Sequence, residues 1–165
     1  MIQGIKNQGN SCYAAALIQC LRISLDVDIK LNTDQLSGNM EDPHEFYTEK
    51  IVHLIPPSVR KRLMIEYESG LELPYTMLDQ HMGKPKKSSD VICVYLGFPT
   101  RDSLDNHISI IVCNRIYKLV AAVCKAGNHY YSCVKFQQSW LTIDDEHVHT
   151  GVPSVVELYM LFYVI

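Results

Sequence analysis

Apolar positions recur at helical spacing early in the chain and at strand spacing in its second half. Tyr13, Leu17, Leu21 and Leu25 lie four residues apart among residues of high helix propensity, which predicts a helix opening at Cys12. The run before it, Gly4 to Ser11, holds two glycines and two asparagines and reads as a tight loop. Asp26 to Asn39 is polar and turn-rich, with its clearest break at Gly38-Asn39. Asp42 then suits an N-cap, Pro43 the first helical position, and Glu45 the closing residue of a capping box. Tyr47, Ile51, Leu54 and Ile55 give that helix an apolar stripe, and Pro56-Pro57 ends it. Ser58 is expected to cap a further short helix through about Glu66, and Tyr67 to Asp90 reads as irregular.

From Val91 the period changes. Val91–Phe98, closed by Pro99, then Asn106–Cys113, Tyr117–Lys125, His129–Phe136, Trp140–Ile143 and Leu158–Ile165 are rich in β-branched and aromatic residues. Short connections between them predict an antiparallel sheet. Helices first and strands afterwards is the α+β order. The expected organisation is one domain over 1–165, with a helical lobe about 1–75 and a sheet lobe about 90–165.

Composition narrows the function classes. With 47% hydrophobic and 20% charged residues among 165, the chain is an ordinary globular protein able to bury a core. A net charge of −3 offers no basic field for nucleic acid, and Lys84 to Lys87 reads as a solvated loop. No apolar run reaches the length of a membrane span, and Met1-Ile2-Gln3 leads into the loop without a signal pattern. The six cysteines form no C-x-x-C pair, so reduced thiols in a cytoplasmic setting are expected. A monomer without cofactor or metal is the expected state.

The candidate chemistry begins at Cys12. A cysteine in the first turn of a helix sits where free N–H groups and the macrodipole favour a thiolate. Asn7 offers an N–H donor for developing oxyanion charge. His129 stands at a strand start just after a turn, a rigid position for a general base. A strand through Trp140 can bring Asp144 beside that imidazole and fix its tautomer. Asp144, Asp145, His147 and His149 also have the look of a divalent-metal cluster, but such runs are more often solvated turns.

The same residues carry a family resemblance. Gly4-Ile-Lys-Asn-Gln-Gly-Asn-Ser-Cys-Tyr13 resembles the cysteine box of the ubiquitin-specific proteases. Asp42, His44, Glu45 and Phe46 resemble the family's second box, with Glu41 at a glutamine place and Pro43 at an alanine place. Tyr117–Val123, His129-Tyr130, Trp140, Asp144-Asp145 and Leu161-Phe162-Tyr163 resemble its histidine box. The resemblance implies a papain-like fold in which Cys12 is the nucleophile, His129 the base and Asp144 its orienter. It implies Asn7 in the oxyanion hole with Asp145 nearby, and Asp42, Glu45 and Tyr130 as substrate contacts. Asp42 would receive the basic C-terminal tail of ubiquitin, while His44 would pack on its own helix. Three places depart from the family pattern: Asn128 replaces a glycine, Ala15 an asparagine, and the loop before the histidine is cut to Cys124–Gly127.

The implied activity is that of a thiol-dependent deubiquitinase cleaving after the C-terminal glycine of ubiquitin or a ubiquitin-like modifier. The member would be minimal, without zinc fingers. Its size would suit an enzyme of a virus or a parasite, acting in host cytoplasm or nucleus if viral. Two alternatives stand beside it: a papain-like protease processing a polyprotein, and an inactive ubiquitin-binding module.

Overall fold

The computed structural model describes residues 2–67 and 89–165. The irregular stretch and the basic loop expected between Tyr67 and Asp90 therefore fall almost wholly outside the described residues. The first helix, α1 (Cys12–Leu25), is buried on nearly its whole circumference, with only Arg22 and Ile23 partly open. Its sequence explains this: Ala14-Ala15-Ala16 leaves no polar face in the first turns, so the helix sinks into the core rather than lying on it. A left-handed Asp26 (φ 53°) stops it.

The second helical stretch opens as expected. Asp42 Oδ1 accepts the amides of His44 (2.8 Å) and Glu45 (3.1 Å) at the start of α2 (Pro43–Phe46). The stretch continues through a π turn, Tyr47–Ile51, into α3 (Val52–Leu54). Phe46, Tyr47, Ile51 and Ile55 are buried, whereas Leu54, placed on the apolar stripe by its spacing, faces solvent. Glu45, expected to close a capping box, is exposed.

The helix expected from Ser58 to Glu66 is a single turn, α4 (Pro57–Arg60), followed by a strand, β1 (Leu63–Tyr67). The change of state is imposed from outside. β1 pairs in parallel with β2 (Val91–Asp102) from Leu63↔Val91 to Tyr67↔Tyr95, so its backbone groups are satisfied by a distant segment. Arg62 pins the junction, bonding Leu25 O (2.8 Å) and the Asp90 carboxylate (3.1 Å). The sheet is thus mixed rather than wholly antiparallel. β2 also runs past Pro99, because the ladder slips between Tyr95 and Thr100 and the imino nitrogen there has no partner to deny.

The remaining strands are β3 (Ser109–Val112), β4 (Arg115–Ala126), β5 (His129–Phe136), β6 (Ser139–Asp144), β7 (His147–Thr150) and β8 (Val156–Val164). A 3₁₀ turn over Leu104–His107 replaces the beginning of the expected strand at Asn106. The sheet order is β1-β2-β8-β4-β5-β6-β7, with β3 attached to β4. One face, with Val91, Cys93, Ala121, Val123 and Phe162, packs on α1, and the opposite face, with Ile92, Val94, Ala122, Cys124 and Leu161, carries a second core. Burial on both sides is why Val91-Ile-Cys-Val reads as a continuous apolar run.

Candidate active site

The loop before α1 is held by its own side chains. Ser11 does not cap the helix with its hydroxyl. Its Oγ instead accepts Gln8 N (2.7 Å) and donates to Asn7 Oδ1 (3.1 Å), while Ser11 N also donates to Asn7 Oδ1 (3.2 Å). Gly9 (φ 77°) and Asn10 (φ 51°) close the turn in the left-handed region, which these two residue types tolerate. Ser11 O takes the amides of Ala14 and Ala15. The amides of Tyr13 and Cys12 itself are directed at the Cys12 sulfur, where each favours the thiolate.

The sheet supplies the other groups. β5 begins at His129 and β6 ends at Asp144, and their ladder, ending at Ser132↔Ile143, sets the two side by side. His129 Nε2 meets Asp144 Oδ1 at 2.5 Å. The peptide joining His129 to Tyr130 turns its N–H onto Cys12 Sγ (3.5 Å), so the thiol and imidazole come from adjoining units. Asp145, left-handed in the β6–β7 turn (φ 52°), accepts Asn7 Nδ2 on Oδ2 (3.1 Å) and Ile5 N on its carbonyl (2.8 Å). Its other carboxylate oxygen, Oδ1, is buried without a partner. Cys12, His129, Asp144, Asn7 and Asp145 are thus brought together from three elements, the loop before α1 and the β6–β7 turn.

Asp42, Tyr130 and Glu45 behave differently from one another. Asp42 Oδ2 accepts the hydroxyl of Tyr159, whose ring lies 5.5 Å from Tyr95 and 5.7 Å from Tyr130. Burial, then the Asp42 and Cys12 charges, push the Tyr130 hydroxyl up to about 12. Glu45 is exposed at the start of α2. His44 stacks on Tyr95 of β2 (ring centroids 4.0 Å apart, 5° between planes) instead of on its own helix. Burial lowers its pKa from 6.5.

Electrostatics at Cys12 run against the expectation from its helix position. Burial raises the thiol's pKa above its ordinary 9.0, the Tyr130 amide opposes this, Asp145 adds to it, and the Tyr13 and Cys12 amides oppose it again. Cys12 is only 1% exposed. The helix-end contribution is therefore present, but in the free protein desolvation outweighs it.

The family model for ubiquitin carboxyl-terminal hydrolase matches residues 22–163. The chain belongs to the ubiquitin carboxyl-terminal hydrolase family. The match takes in His129, Asp144 and Asp42 but begins beyond Cys12 and Asn7, whose place in this hydrolase rests on the geometry above. Solved structures share its fold. A chain of the SAGA DUB module of Ubp8, Sgf11, Sus1 and Sgf73 bound to monoubiquitin aligns with TM-score 0.59 and 14% identity, over 99% of this chain and 69% of that one. A chain of the same module bound to ubiquitin aldehyde aligns with TM-score 0.58 and 15% identity, again over 99% and 69%. No curated protein sequence matches.

Several residues of this hydrolase site carry no signal in the sequence. Tyr159 and Tyr95 look like ordinary strand aromatics. Met40, whose sulfur lies 3.8 Å from Cys12 Sγ, looks like a loop residue. Gly4, packed so closely on the Asp145–Glu146 backbone that a Cβ would lie 2.4 Å from it, carries a signal in its residue type alone. Glu41 reaches the Tyr13 hydroxyl (2.6 Å) and Lys50 (3.8 Å), fastening the Met40 loop to α1. Among the described residues, His129, Asp144 and Asp145 form the one cluster able to reach a common metal ion. Two of its oxygens already serve His129 and Asn7, and His147 and His149 stand outside it on β7 with their rings stacked 6.4 Å apart.

Proposed function

We propose that this cysteine hydrolase cleaves the bond after the C-terminal glycine of ubiquitin or a ubiquitin-like modifier. The observation that carries the proposal is the meeting of Cys12 Sγ with the His129-Tyr130 peptide while His129 is bonded to Asp144. Asp144 on Nε2 leaves Nδ1 as the nitrogen that exchanges a proton with the thiol. Asp144 fixes the tautomer and stabilises the imidazolium that forms. Transfer to His129 yields the thiolate, which attacks the glycine carbonyl. The Cys12 amide and the second N–H of Asn7 Nδ2 are candidate donors to the oxyanion. His129 then protonates the leaving amine, and water deprotonated by His129 releases the acyl-enzyme. Because burial disfavours the thiolate in the free protein, ionisation is expected to accompany substrate binding.

The aromatic group around Asp42 supports a channel for an extended, cationic tail. A carboxylate accepts more bonds than the three it makes here. Ubiquitin carrying a C-terminal propargylamide tests the reading. One adduct is expected, mapping to Cys12 and lost in Cys12→Ala; absence of any adduct refutes it. The buried thiol favours a second reading, an inactive ubiquitin-binding module. Such a module would retain ubiquitin on a column yet form no adduct.

A further inference from the structure

Among the described residues, the Met40 side chain lies against the Cys12 thiol. Cys12 is 1% exposed, whereas Met40, whose Sδ touches its Sγ at 3.8 Å, is 41% exposed. Met40 thus touches the buried thiol and is itself open to solvent. Its backbone is tethered on both sides. Gly38 O accepts Asn10 Nδ2 (3.3 Å), Ser37 Oγ accepts Asn39 N (3.2 Å), and Glu41 is bonded to Tyr13. The side chain itself is unbranched, with three rotatable bonds, so it can swing while the loop stays still.

We propose that Met40 is a single-side-chain gate over Cys12. It is closed in the free enzyme and is displaced by the substrate segment entering along Asp42. The spatial argument is direct. A carbonyl carbon must come within about 3–3.5 Å of the sulfur to react. Met40 Sδ, 3.8 Å from the sulfur, stands just outside that distance, and a carbonyl group approaching from its side has to displace it. Met40 lies two residues before Asp42, so an extended peptide received by Asp42 and the Tyr95–Tyr159 group passes the gate before reaching the thiol. The inference rests on Cys12 being the nucleophile, but its test does not require hydrolysis of ubiquitin.

The test is the rate of Cys12 alkylation, followed at that residue by peptide mass because Cys113 is also exposed. Iodoacetamide serves as the small reagent and N-ethylmaleimide as the larger one. Met40→Ala is expected to speed both reactions, by about tenfold for iodoacetamide, as a barrier lower by about 1.4 kcal/mol gives. The larger reagent should gain more. Met40→Leu, which keeps the bulk, is expected to react at the parental rate. Equal rates for Met40→Ala and the parent overturn the gate, as does a Met40→Leu protein as fast as Met40→Ala. Melting temperatures show whether each variant is folded, and circular dichroism of an unstable one sends the test to Met40→Val. Loss of the ubiquitin adduct with these alkylation rates intact would count against the deubiquitinase reading alone.

Discussion

Replacing Gly4 with alanine puts a methyl group into the backbone that positions half of the site. A Cβ built at Gly4 lies 2.4 Å from Asp145 O and from the Cα and carbonyl carbon of Glu146, where ordinary contacts are 3.4–4 Å. The obstacle is backbone, so no rotamer relieves it. The strap must lift by about 1 Å, which stretches the Ile5 N–Asp145 O bond beyond hydrogen-bonding range. That loss costs about 0.5–1.5 kcal/mol of stability. The larger effect falls on chemistry, because Asn7 and Asp145 are joined across the same contact. A misplacement of about 1 Å can lower turnover on the order of 100-fold, equivalent to about 2.7 kcal/mol in the barrier. The assay is kcat/KM on a fluorogenic C-terminal amide of ubiquitin, with Tm measured alongside. We expect a Tm lower by a few degrees and a kcat/KM lower by about 100-fold. A folded Gly4→Ala protein with parental kcat/KM would show that this contact does not position the site.

Other perturbations separate the remaining roles. Asp144→Ala should lower kcat by about 10³–10⁴-fold with little change in KM, as expected for loss of the group that orients the base; parental turnover refutes the assignment. Asp145→Asn should make Cys12 alkylation faster at neutral pH, since Asp145 raises the thiol's pKa, yet slow ubiquitin hydrolysis through Asn7. Alkylation and hydrolysis that both rise would refute the link to Asn7. Asp42→Ala should raise KM and also remove a helix cap worth about 0.5–2 kcal/mol, so Asp42→Asn is the matched control for charge. An Asp42→Asn variant with parental KM would place tail recognition elsewhere. For His44 and His107, burial lowers the folded pKa below 6.5, so the unfolded chain binds more protons as pH falls through that value. Stability should therefore be present above about pH 6.5 and decline below it, and His44→Phe should flatten the fall in Tm between about pH 7 and 5.

The sequence showed most clearly what local chemistry decides. α1 opens at Cys12 because a glycine- and asparagine-rich loop gives way to helix formers, and β5 opens at His129 because Gly127-Asn128 makes the turn before it. Asp42 and Pro43 likewise announce a helix start without help from distant residues. What stayed hidden depends on partners far along the chain. Leu63–Tyr67 is a strand because β2 lies beside it, and Pro99 survives within β2 because the ladder slips there. The run holding Asp144, Asp145, His147 and His149 reads as a solvated turn, yet His147–Thr150, exposed at all four residues, pairs with β6 as a strand. The Cys12 thiol is the sharpest case. Its helix position and the Tyr130 amide argue for acidity, but burial outweighs both, and that burial comes from a fold the local sequence does not show.

The place of β8 bears on when the enzyme can first act in its own lifetime. This strand comes last in sequence yet lies inside the sheet, joining β2 on one side to β4 on the other. It also carries Tyr159, the partner of Asp42. During synthesis Cys12, His129 and Asp144 all leave the ribosome before β8 does. Until β8 emerges, β2 and β4 have no shared neighbour, and the helices that hold Cys12 have only part of their floor. A chain without β8 is thus expected to lack an assembled site, although it already holds Cys12, His129 and Asp144.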